Sequence, residues 1–87
     1  MKKIRLLLIE DNRLLREGLT AMLKEQPDIT VVAASGSGVV IAKGKKLKPD
    51  VVLIDVGVRS HNGLRLIERV QKSTVEANVI IMDLAPV

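Results

Sequence analysis

LLLIEDNRLLREGL, residues 6–19, changes character twice within one short stretch. Ile4 to Ile9 is apolar apart from Arg5. A run without polar alternation suits a strand buried on both faces of a sheet. Glu10 and Asp11 close it with two acids. From Leu14 to Lys24, Leu15, Leu19, Met22 and Leu23 recur at helical spacing, with Arg16, Glu17 and Lys24 between them. Asn12 or Asp11 stands where a helix N-cap is needed. The unit is a strand, an acidic turn and an amphipathic helix.

The same alternation continues along the chain. Gln26-Pro27-Asp28 stops the first helix, and Ile29 to Ala34 forms a second apolar run. Ser35 to Gly38 reads as a turn, with Ser37 capping a helix to about Leu47. That helix is the least favoured, because Val39, Val40 and Ile41 are β-branched and Gly44 lies inside it. Pro49-Asp50 ends it. Val51 to Ile54 is a third buried strand, and Gly63 to Lys72 a third helix with Leu64, Ile67 and Val70 on one face. Val79 to Met82 is a fourth apolar run of the kind that forms a buried strand. The order βαβαβαβ with short connections predicts a parallel sheet with helices on its faces, in one α/β domain over residues 1–87.

Composition narrows the chemistry. The 87 residues include no Phe, Tyr, Trp or Cys. The core must be aliphatic, base-stacking platforms are excluded, and so are disulfides and thiolate metal sites. The net charge of +4 gathers partly at Lys43, Lys45, Lys46 and Lys48, which reads as a solvated helix face. The apolar run Leu6 to Ile9 is too short for a secretory signal, and no window reaches membrane-span length. A cytoplasmic protein without a membrane partner is expected.

In an open parallel sheet, ligands bind beyond the carboxyl ends of the strands. Here those ends deliver Glu10-Asp11, Asp55 and Asp83, so four carboxylates are expected on one rim of a basic chain. Two carboxylates about 5 Å apart repel by roughly 3 kcal/mol at an effective dielectric near 20. A hard divalent cation removes that cost, Mg²⁺ being the natural choice among oxygen ligands.

LLLIEDNRLLREGL, KPDVVLIDVGVRSHNGLRLI and NVIIMDLA together resemble the receiver domain of two-component response regulators. The resemblance spans the chain. It rests on the acid pair after the first strand, the Asp after the third, and Gly63 eight residues later. It implies a flavodoxin-like (CheY-like) doubly wound sheet of order 2-1-3-4-5. It also implies that Asp55 accepts a phosphoryl group from the phosphohistidine of a sensor histidine kinase. Asp11 would ligate Mg²⁺ directly, Glu10 through water, and the carbonyl of Gly57 would add a ligand. The chain would be a regulatory domain and not an enzyme.

The match also has departures. Asp83 stands where the family carries Thr or Ser, whose hydroxyl would contribute roughly 1.5–3 kcal/mol in bonding a phosphoryl oxygen. A carboxylate about 5 Å from a dianion costs up to about 6 kcal/mol instead. Arg59 replaces the usual Pro. The family continues through a fourth helix, a fifth strand bearing a Lys, and a fifth helix, so the sheet is expected to be truncated after its fourth strand. The reading is an atypical receiver with an acidic Mg²⁺ pocket around Asp55, Asp83 in the switch position, and impaired phosphoacceptance. An exposed fourth strand predicts a homodimer by edge pairing or swapping. DNA would be reached only through an output domain outside these residues, of helix-turn-helix type by family analogy. The alternatives are an intact phosphorylation switch regulating transcription, and a phosphorylation-independent dimerisation module. A nucleotide or flavin binder is disfavoured, because EDNRLL lacks the glycines of a phosphate loop. Ser35 to Gly38 reads as an ordinary turn and His61 as a solvated loop residue.

Overall fold

The apolar runs become strands that all point the same way. A computed structural model describes residues 3–36, 47–55, 63–73 and 76–82. It contains β1 (Ile4–Ile9), α1 (Arg13–Lys24), β2 (Ile29–Ser35), β3 (Val51–Asp55), α2 (Gly63–Ser73) and β4 (Asn78–Met82). Most of the helix expected from Ser37 to Leu47 lies outside the described residues, as do Gly57, Arg59, His61 and Asp83.

The strand order is β2-β1-β3-β4, all parallel. The chain therefore leaves β1 in one direction to build β2, then crosses back to place β3 on the other side. Right-handed crossovers with that reversal set α1 and α2 on opposite faces. This is the doubly wound arrangement expected from the sequence.

One face is organised by the pairing of β1 with β3. Leu7 lies opposite Val52 and Ile9 opposite Ile54. These four side chains join Val70 of α2 in the buried core, with Ile67, Val79 and Ala77 packed against its margin. Leu6 and Leu8 are buried as well, but alternation along β1 turns them to the other face. On α1 the half-buried residues are Leu15, Arg16, Leu19, Thr20 and Leu23. Asn12 is the cap, its side chain accepting the Leu15 N–H at 3.1 Å. Met22, expected on the apolar face, is 66% exposed instead. The buried stripe is centred towards Arg16 and Thr20, and that rotation carries Met22 outwards.

β4 also differs from a buried strand. Among the described residues it is the outer strand of the sheet, and Ile80 and Ile81 are each about half exposed, while Val79 and Met82 are half-buried. An edge strand has a neighbour on one side only, so an apolar sequence there does not guarantee burial.

At the leading ends of the strands, Arg5 organises the approach to β3. Its Nη2 donates to the carbonyl of Leu47 at 2.6 Å, and its Nε to the carbonyls of Leu47 and Lys48 at 3.2 and 3.3 Å. Lys48 has φ of 47°, a left-handed conformation that costs a side-chain-bearing residue roughly 1–2 kcal/mol. The guanidinium bonds and the buried Pro49 that follows hold it there.

Ile54 is fully buried at the centre of the core. Ile54→Ala is expected to cost about 2–5 kcal/mol, read as a fall in the urea midpoint by far-UV circular dichroism. A loss below about 1 kcal/mol would contradict the placement of the core.

Candidate functional site

The β1–β3 register places the chemistry. Because Ile9 lies opposite Ile54, the next residues, Glu10 and Asp55, leave the sheet side by side on the same face. This is where strand order reverses, the crevice in which doubly wound sheets bind ligands. Glu10 is 2% exposed and Asp55 8%, so both carboxyl groups are withdrawn from water.

Two buried acids in contact cannot both be charged at low cost. Glu10 and Asp55 share a hydrogen bond, which requires a proton on one of them. The pKa of Glu10 is raised from the usual 4.5 to about 7. Burial is the largest cause, followed by the hydrogen bond to Asp55, its charge, and the charge of Asp11. The backbone N–H of Asn12 donates to the Glu10 carboxylate and opposes the rise. Among the described residues no buried side-chain polar atom lacks a partner.

Asp11 takes the other direction. It follows Glu10 at the bend that leads into α1, and its side chain is exposed. A Cβ built on Gly36, just after β2, would stand 3.5 Å from Asp11 Oδ1 and 3.2 Å from Arg16 Nη1. Arg16 Nη1 in turn donates to the carbonyl of Glu10 at 3.0 Å. The Glu10 N–H donates to the carbonyl of Ser35 at 2.8 Å, carrying the β1–β2 pairing up to the turn.

The expected convergence of four acids is thus resolved into parts. Glu10 and Asp55 meet, Asp11 stands at the surface beside them, and Asp83 and Gly57 lie outside the described residues. Among the described residues no group of three acids or histidines is already arranged around one point. The donor set nevertheless suits a hard divalent cation, since it offers only carboxylate oxygen and carries excess negative charge. Sequence reasoning gave Arg16 no role beyond standing between the apolar positions of α1. The signal was present: Arg16 and Thr20 flank Leu15, Leu19 and Leu23 at one-turn spacing, on the margin of the buried stripe.

The family model for the response regulator receiver domain matches residues 6–85. The chain belongs to that family. The transcriptional regulatory protein LiaR of Bacillus subtilis is 37% identical over 82 residues, covering 91% of this chain and 38% of that protein. The nitrate/nitrite response regulator NarL of Escherichia coli is 28% identical over 81 residues, covering 92% and 38%. The crystal structure of the response regulator domain of Thermotoga maritima CheB aligns with a TM-score of 0.76 at 30% identity, covering 92% of this chain and 60% of that one. The receiver described here therefore spans well under half the length of those two curated relatives. Receiver domains are regulatory parts of two-component systems, interact with histidine kinases, and generally bind Mg²⁺ at an acidic pocket. No helix among the described residues of this receiver is long and apolar enough to cross a membrane.

The raised pKa of Glu10 has a definite sign in stability. Between 4.5 and about 7 the folded receiver holds a proton that the unfolded chain releases. Stability should therefore fall as pH rises through that window, by on the order of 3 kcal/mol. Glu10→Gln supplies a permanent donor to Asp55 and should flatten the decline, leaving the variant more stable than the parent at pH 8. Urea midpoints in chelator across this range test it, and a parent midpoint that stays level or rises would refute the assignment.

Proposed function

We propose that this receiver binds a divalent cation at its acidic rim and accepts phosphoryl groups at Asp55 weakly. The supporting observation is the buried carboxyl pair of Glu10 and Asp55 at the switch point, with Asp11 beside it. Mg²⁺ would be held by Asp11 and Asp55 directly, by Glu10 through water, and by the carbonyl of Gly57. When bound, it would neutralise charge on an approaching phosphoryl group. Of the chain's own groups, Asp55 offers the nucleophilic carboxylate oxygen, and burial keeps competing water away from it. Glu10 holds that oxygen in a hydrogen bond. Asp83 brings a negative charge to the position where the family has a hydroxyl, and this supports reduced phosphoacceptance.

A histidine kinase is the proposed phosphoryl source, and any action on DNA is assigned to an output domain outside these residues. Incubation with Mg²⁺ and acetyl phosphate, followed by intact-mass analysis, should give little or no adduct of one phosphoryl group. Any adduct should disappear in Asp55→Asn. Near-complete labelling of the parent would overturn the proposal of weak acceptance, and labelling that survives Asp55→Asn would overturn the site.

A second reading concerns assembly. Ile80 and Ile81 are half exposed on the outer strand, and Asn78–Met82 contains no charge and no proline to discourage pairing. These features support a homodimer formed through β4, with swapping as the other route. Light scattering of residues 1–87 at high micromolar concentration should show a dimer, and Ile80→Lys should return it to a monomer. A parent that is already monomeric at that concentration would count against this reading.

A further inference from the structure

Arg16 sits where helix electrostatics alone would not put it. The first turn of α1 contains no acid, and both Arg13 and Arg16 lie near its positive end. Arg13 is compensated by Glu17, one turn later, at 3.1 Å on the exposed surface. Arg16 instead folds back, half-buried, to donate to the carbonyl of Glu10. Its own carbonyl accepts the Thr20 hydroxyl at 2.7 Å, which ties the same turn of α1 from the other side.

The bond to Glu10 acts on a particular peptide. That carbonyl belongs to the residue whose side chain enters the protein beside Asp55, and it leads into Asp11, whose side chain goes outwards. Fixing this peptide plane fixes the angle at which the two carboxyl groups part. Gly36 completes the arrangement, since a Cβ there would stand 3.2 Å from Arg16 Nη1 and 3.5 Å from Asp11 Oδ1, and its absence leaves both groups room. A methyl group at 3.2 Å from Nη1 would oblige the guanidinium to move.

We propose that Arg16 is a positioning residue of the acidic rim, holding the β1–α1 turn so that Glu10 and Asp11 are presented to a divalent cation, with Gly36 as the gap that admits it. This rests on the cation-binding reading above. Groups that orient metal ligands without touching the metal typically change affinity 10–100-fold when removed. The charge of Arg16 acts in the opposite sense, because a guanidinium repels a cation. Geometry and charge can therefore be separated by substitution.

The experiment is titration of residues 1–87 with Mn²⁺, followed by electron paramagnetic resonance of the free ion, with thermal unfolding in chelator alongside. Arg16→Lys keeps the charge but loses the planar fork, and should bind about tenfold more weakly than the parent. Arg16→Ala should also bind more weakly. Gly36→Ala, which retains Arg16 but displaces it, should weaken binding without removing any polar group. It keeps the test open if Arg16 variants fail to fold. Unchanged affinity in Arg16→Lys with tighter binding in Arg16→Ala would mean that only charge matters, and would overturn the proposal. Parental affinity in every variant that folds would overturn it too, whatever happens to the melting temperature. Absence of binding by the parent would sink the cation reading itself, and this inference with it.

Discussion

The pairing of β1 with β3 is the constraint from which the rim follows. With Leu7 against Val52 and Ile9 against Ile54, every side chain in the two strands is committed to a face. A slip of one residue would send the core outwards, so hydrophobic burial fixes the register strongly. The same register leaves Glu10 no position except beside Asp55. The site is therefore specified by aliphatic residues that take no part in its chemistry. The proximity of the acids is imposed on them by the core.

That imposition is unfavourable in itself. Two carboxyl groups buried in contact lose hydration and repel when charged. Burial first, then the hydrogen bond and charge of Asp55, push the pKa of Glu10 up to about 7, and a proton held between the two carboxyl groups relieves the repulsion. A divalent cation would be the other solution to the same electrostatic problem, and the two would compete. Affinity for the proposed cation and the protonation of Glu10 would thus be linked by mass action.

Much of the fold was legible because period and punctuation agreed. Val51 to Ile54 and Ile4 to Ile9 read as buried strands and are so, apart from the exposed leading end of β1 and the half-buried Val51 and Leu53. Gln26-Pro27-Asp28 marked the helix stop, and Asn12 was one of two residues able to cap α1. Strand order followed from the family resemblance. The failures have physical causes. Met22 matched the apolar period by count, but the stripe is centred elsewhere, where Arg16 and Thr20 supply half-buried flanks. Apolar composition could not distinguish β4 from an interior strand, because burial depends on neighbours as well as on the strand itself. At the rim, strand ends pointed to Glu10 and Asp55, which the fold brings together, while Asp83 lies outside the described residues. They did not reveal that Glu10 and Asp11 diverge, which requires backbone direction. Nor could they reveal Arg16, whose role depends on a carbonyl and not on any side chain.

Asp50 gives the opposite end of the sheet a different character. Its N–H donates to the carbonyl of Arg5, its carboxylate accepts the Arg5 N–H, and its carbonyl accepts the N–H of Asn78. Ile4 is joined likewise to Asp28 before β2. The strands thus start from a laced hem. Displacement on ligand binding should be largest at the rim and fade towards Asp50, as pages of a book move about their spine. In mechanical terms one boundary of the domain is tied by backbone bonds, and all the proposed chemistry lies at the boundary opposite.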